Sequence, residues 1–97
     1  MFTPDELRAI RRALDYVDNE LEFVDTRPPG WTQRRYTAAF CAAYDRSVGK
    51  LPGDFSADEL TVIRDSLAVY TLAHLGTPEG SASADAREKT ARLLASV

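Results

Sequence analysis

Apolar residues recur at Leu7, Ile10, Leu14, Val17, Leu21 and Val24. The steps are three and four, which place one stripe along a helix. A second run, Leu60, Ile63, Leu67, Tyr70 and His74, has the same period. Both runs start alike. Thr3 is placed to cap the first helix, with Pro4 at its first position and Glu6 to close a capping box. Ser56 and Glu59 repeat that arrangement, and Phe2 and Phe55 precede the caps as hydrophobic staples onto Leu7 and Leu60. The first helix is expected to end near Phe23–Asp25, before Arg27-Pro28-Pro29-Gly30. Gly76 and Pro78 are expected to stop the helix that Ser56 opens.

The two starts match residue for residue at an offset of 53. Phe2/Phe55, Asp5/Asp58, Glu6/Glu59, Leu7/Leu60, Ile10/Ile63, Arg11/Arg64 and Leu14/Leu67 are identical, seven in thirteen positions. That frequency predicts an internal repeat, with unit 1 at about 1–50 and unit 2 at about 54–97. Between the stripes a helix is predicted over about 33–48, with Trp31, Thr32 and Tyr36 as staple, cap and staple partner, and Gly49 as a left-handed stop. Its centre, Ala38-Ala39-Phe40-Cys41-Ala42-Ala43-Tyr44, is apolar nearly all round and is expected to be buried. A last helix is expected from Asp85, where Glu88 completes a cap, after a mobile linker over about 77–84. No strand pattern is present. The prediction is an all-α single domain of about four helices, two helical hairpins forming a bundle-like or irregular α fold.

A further apolar stripe, Ala9, Ala13 and Tyr16, runs along the first helix, and its repeat equivalents are Val62, Ser66 and Val69. Wide apolar arcs require two neighbours. Either helices 2 and 4 cover these stripes, or one of them stays open for a partner. The candidate partner-binding face is Tyr16, Val62, Val69 and Ala73.

Charge adds a second candidate. The net charge of −3 conceals a basic segment. Residues 27–50 carry Arg27, Arg34, Arg35, Arg46 and Lys50 against Asp45, whereas 1–26 and 51–76 are acidic. Packing of basic against acidic helices explains this; so does an anion-binding face. The candidate anion site is Trp31, Arg34, Arg35 and Tyr36, at a helix N-terminus with forked cations and aromatic faces. It would suit a nucleotide or single-stranded nucleic acid. DNA binding by a helix-turn-helix is disfavoured, because acidic helices repel the backbone and the linker after the first helix is long.

Catalytic chemistry finds little support. Cys41 is the only thiol and His74 the only histidine in the 97 residues. A disulfide within the chain and a cysteine-based zinc site are therefore excluded. Cys41 is expected to be a buried structural thiol, and His74 to interact with the carbonyls at a helix end. No phosphate loop, nucleophile elbow or HExxH motif occurs. No enzyme activity, cofactor or metal is expected. The start lacks the pattern of a signal peptide and no stretch suits a membrane span, so a cytoplasmic location without membrane contact is expected.

The opening Phe2-Thr3-Pro4-Asp5-Glu6-Leu7-Arg8-Ala9-Ile10-Arg11-Arg12-Ala13-Leu14 resembles the starts of short all-helical accessory proteins of actinobacterial phages. The likeness covers about thirteen residues. Ten Arg against two Lys accord with a GC-rich source. The resemblance implies a protein of the host cytoplasm that binds a host protein. The expected function is thus non-enzymatic interaction with a protein partner, a host protein or a second copy in a homo-oligomer. The alternative is the anion- or nucleic-acid-binding module.

Overall fold

A computed structural model describes residues 2–20 and 27–96. The end of the first predicted helix, with Leu21 and Val24 of its stripe, lies outside the described residues. Four helices follow in order: α1 (Pro4–Glu20), α2 (Gln33–Ser47), α3 (Ala57–Ala73) and α4 (Pro78–Ala95). There is no strand among the described residues. The all-α, four-helix expectation holds.

The starts form as their sequences dictate. The Thr3 N–H donates to Glu6 Oε1 at 2.7 Å, and the Glu6 N–H returns to Thr3 Oγ1 at 3.1 Å. That is a reciprocal capping box. At α3 the Glu59 N–H donates to Ser56 Oγ at 3.2 Å, but the Ser56 hydroxyl itself donates to Glu59 Oε2 at 2.9 Å. Thr32 caps α2 by accepting from the Arg35 N–H.

Helices α1 and α3 form the centre and run parallel. Phe2 meets Phe55 edge to face at 5.6 Å near their starts, and Tyr16 meets Tyr70 at 5.7 Å near their ends. Ile10, Leu14, Ile63 and Leu67 are fully buried between them. Full burial of such a side chain is worth about 1.5–3 kcal/mol. Helices α2 and α4 contact this pair but not each other. Each presents small residues inward: Ala39, Ala43 and Ser47 from α2; Gly80, Ser83, Ala86 and Thr90 from α4. Small side chains let helix axes approach closely.

α4 runs back against the pair. The Thr71 and Ser83 hydroxyls are 2.8 Å apart near the end of α3, and Lys89 reaches Glu6 at 2.9 Å near the start of α1. α2 instead lies across the start of α3. Arg35 and Arg46 are about 16 Å apart along α2, yet they bind the adjacent residues Asp58 and Glu59. An axis whose two ends serve one turn must cross that turn steeply. The later turns of α3 therefore lie beyond α2.

Three expectations change. The segment over 77–84 is not a mobile linker. Thr77 caps α4 by accepting from the Gly80 N–H at 3.0 Å, with Pro78 in the first turn. This is the same Thr-Pro start as Thr3-Pro4. Asp85 lies within the helix, not at its start. Second, the centre of α2 is buried on one side only. Ala38 and Cys41 are exposed, because the side of α2 that packs is that of Ala39, Ala43 and Ser47. Cys41 is a free, exposed cysteine rather than a buried thiol. Third, Val62 is 1% exposed and belongs to the core. It cannot contribute to an open face.

Candidate docking end of the central helices

The Trp31–Tyr36 segment folds inward onto the protein. Arg35 Nε and Nη2 each donate to Asp58 at 2.9 Å, and the guanidinium lies 4.0 Å from the Trp31 ring centroid. Planar forks favour such two-point pairing. The hydrogen bond from Arg35, aided by its charge and opposed by burial, holds the Asp58 carboxyl below its usual range. The same hydrogen bond raises Arg35. Trp31 and Tyr36 are half-buried against the core, and Tyr36 lies 6.0 Å from Phe40. Arg34 points to solvent. The arginine best placed for an anion is thus already occupied by a carboxylate of α3.

Tyr16, Val69 and Ala73 lie toward the other end of the central pair. Tyr16 is half-buried, set edge-on against both Tyr70 and His74 at 5.7 Å. Tyr70 and His74 stack at 4.0 Å with 20° between their planes. One helical turn separates them, so α3 itself imposes the overlap. His74 caps the helix, and its Nδ1 is 3.0 Å from the Tyr70 carbonyl oxygen. A carbonyl only accepts, so Nδ1 is the donor of this bond. The expected interaction of His74 with helix-end carbonyls is realised here.

Beside these rings is a shallow groove of about 360 Å³, lined by Arg12, Asp15, Tyr16, Asn19, Glu20, Tyr70 and His74. The α1 residues fall at i, i+3, i+4, i+7 and i+8, one face of that helix. Around α3 from the groove, Val69 is half-buried and Ala73 exposed. Leu72 and Leu75 follow, 71% and 69% exposed. These two large apolar side chains, open to water at one helix end, form an exposed ridge. Tyr16, Val69 and Ala73 therefore border one surface, and Val62 does not. Leu72 and Leu75 were missed because neither continues the stripe of the helix. An apolar residue off the stripe is itself the signal.

Among the described residues no group of three or more His, Cys, Asp or Glu side chains is placed to hold a metal ion, and no helix is long and apolar enough to cross a membrane. Comparison with protein-family models, curated proteins and solved structures yields no match.

Proposed function

We propose that this is a non-enzymatic interaction protein that docks through the end of α3. The observation that carries the reading is the exposure of Leu72 and Leu75 beside Val69 and Ala73. Covering two leucines removes a large apolar area from water, at about 25 cal/mol per Å². Neither leucine belongs to the core cluster of the described residues or packs against it. The groove beside the ridge argues against catalysis. Its histidine uses Nδ1 on a backbone carbonyl, and Cys41 is not among its lining residues. The likeness of residues 2–14 to phage accessory proteins favours a host protein as partner, and a second copy would use the same ridge.

Light scattering on a sizing column over a concentration series tests the reading, with Leu72→Ser/Leu75→Ser as the comparison. A concentration-dependent dimer that the substitutions convert to monomer supports self-docking. A monomer in both forms moves the test to capture from lysate, with parent and variant as paired baits. An oligomer that survives both substitutions, or capture that is equal for the two baits, removes the ridge as the interface.

A further inference from the structure

The groove specifies what the docked segment carries, granted the docking reading above. Three acids in the first turns of α1 and α3 are answered by cations from other helices. Glu6 receives Lys89, Asp58 receives Arg35, and Glu59 receives Arg46. Asp15 and Glu20 line the groove, and among the described residues no cation is paired with them. Arg12 and His74 are the basic side chains in the lining, and Arg12 is its one guanidinium against these two acids. From residue 13 to 20, α1 carries Asp15, Asp18 and Glu20 and no base. The last turns of α1 and α3 contain no basic residue either. The carbonyl end of a helix carries partial negative charge, and α3 ends at His74 in the groove wall. Tyr16, Tyr70 and His74 supply ring surface beside the carboxylates. Aromatic faces attract cations.

We propose that the groove receives a lysine or arginine side chain from the docked partner, so that the partner segment is basic and amphipathic. Its apolar residues cover Leu72 and Leu75, and a cation about one turn away enters between Asp15 and Glu20. The volume of about 360 Å³ admits one long side chain with its hydration. Ala73 lies one turn after Tyr70, so the exposed side of α3 begins beside the ring that lines the groove. Charge complementarity selects this occupant over a second copy, whose own docking end is equally acidic.

Three labelled fourteen-residue helical peptides with one leucine face test this. Their other face is lysine, glutamine or glutamate. Fluorescence anisotropy against the full chain reads the affinities. The lysine peptide is expected to bind most tightly and to weaken with salt. Asp15→Asn/Glu20→Gln is expected to weaken it about fivefold or more and to leave the glutamine peptide unchanged. Asp85→Asn/Glu88→Gln, the same charge change on α4, should have little effect. Circular dichroism checks that each variant folds. Equal affinity for lysine and glutamine peptides, lost in Leu72→Ser/Leu75→Ser, overturns the cationic occupant and leaves the docking face standing. Equal loss in the α4 variant reduces the effect to net charge and also overturns it. Lysine-peptide binding that ignores the leucine substitutions overturns both readings.

Discussion

Arg46 Nε donates to Glu59 Oε1 at 2.7 Å and ties the last turn of α2 to the first turn of α3. The pair is poorly hydrated, with 22% of the arginine side chain and 7% of the glutamate side chain accessible. Arg46 also donates from Nη1 to the carbonyl of Pro52, so it holds the α2–α3 connection as well. Removing one partner leaves the other charge in a site built for two. Arg46→Ala is expected to destabilise the fold by about 2–4 kcal/mol. Arg46→Met/Glu59→Gln should cost less than the single change. Urea denaturation of the three proteins decides between this and a merely superficial pair, for which the single change would cost almost nothing.

Gly80 sets helix propensity against close packing. In an exposed helix, Gly→Ala is favourable by about 1 kcal/mol. A Cβ at Gly80 would stand 2.1 Å from the carbonyl oxygen of His74. That oxygen is backbone and also accepts from the Thr77 N–H and hydroxyl, so it cannot retreat cheaply. Gly80→Ala is expected to destabilise by at least about 2 kcal/mol, and a raised melting temperature would contradict the close approach.

This glycine also explains which parts of the fold were legible. The starts of α1 and α3 were plain because cap, staple and stripe agree at Thr3-Pro4-Glu6 and Ser56-Glu59. At α4 the cap Thr77-Pro78 is just as good, but Gly80 and Ser81–Ala84 read as linker composition. The inward face of α4, Gly80, Ser83, Ala86 and Thr90, contains no large apolar residue. Its fit depends on the proximity of α3, which no local pattern displays. The same cause misplaced Cys41 and Val62. Whether a stripe is covered depends on where a neighbour crosses, and α2 crosses the start of α3 rather than following its length. Tyr16, Val69 and Ala73 could be found from period alone; Leu72 and Leu75 carry the signal of apolar residues off the stripe, and the groove acids required the pairing of α1 with α3.

Two carboxylates should make stability fall in acid. Glu6 is held below its usual range by the Thr3 backbone hydrogen bond, against desolvation, with further help from Lys89. Asp58 is lowered chiefly by its hydrogen bond from Arg35. Both folded-state values lie below the unfolded ones. Their contribution is therefore complete above the ordinary carboxylate range and is lost as pH falls through the folded values. The Glu6 and Asp58 side chains keep 23% and 41% of their surface accessible, so solvent screens both pairs and the effect of each is small. Urea midpoints at neutral pH and at about pH 3 should differ less in Glu6→Gln/Asp58→Asn than in the parent. An unchanged difference would assign the acid sensitivity to other groups.

Cys41 should be modifiable without unfolding. It is exposed on α2, and the helices behind α2 meet Ala39 and Ala43 instead. A thiol reagent such as dithionitrobenzoate must reach it in native buffer at a rate close to that in urea, since access controls thiol reaction. A native rate slower by orders of magnitude would place the thiol in the core after all.

The ridge and the core differ most clearly in what a substitution costs the isolated chain. Ile63 is fully buried, and Ile63→Ala is expected to cost about 2–5 kcal/mol. That is a large part of the roughly 5–15 kcal/mol that holds a domain of this size together. Leu72 and Leu75 are more than two-thirds exposed. Leu72→Ser/Leu75→Ser is expected to change stability by no more than about 0.5 kcal/mol per site, because the side chains stand in water in both folded and unfolded states. Denaturant unfolding at low protein concentration measures both. A near-zero cost for the leucines means that their apolar surface does no work within the monomer. A cost like that of Ile63 would mean that the ridge is part of the core, and the docking end of α3 would lose its basis.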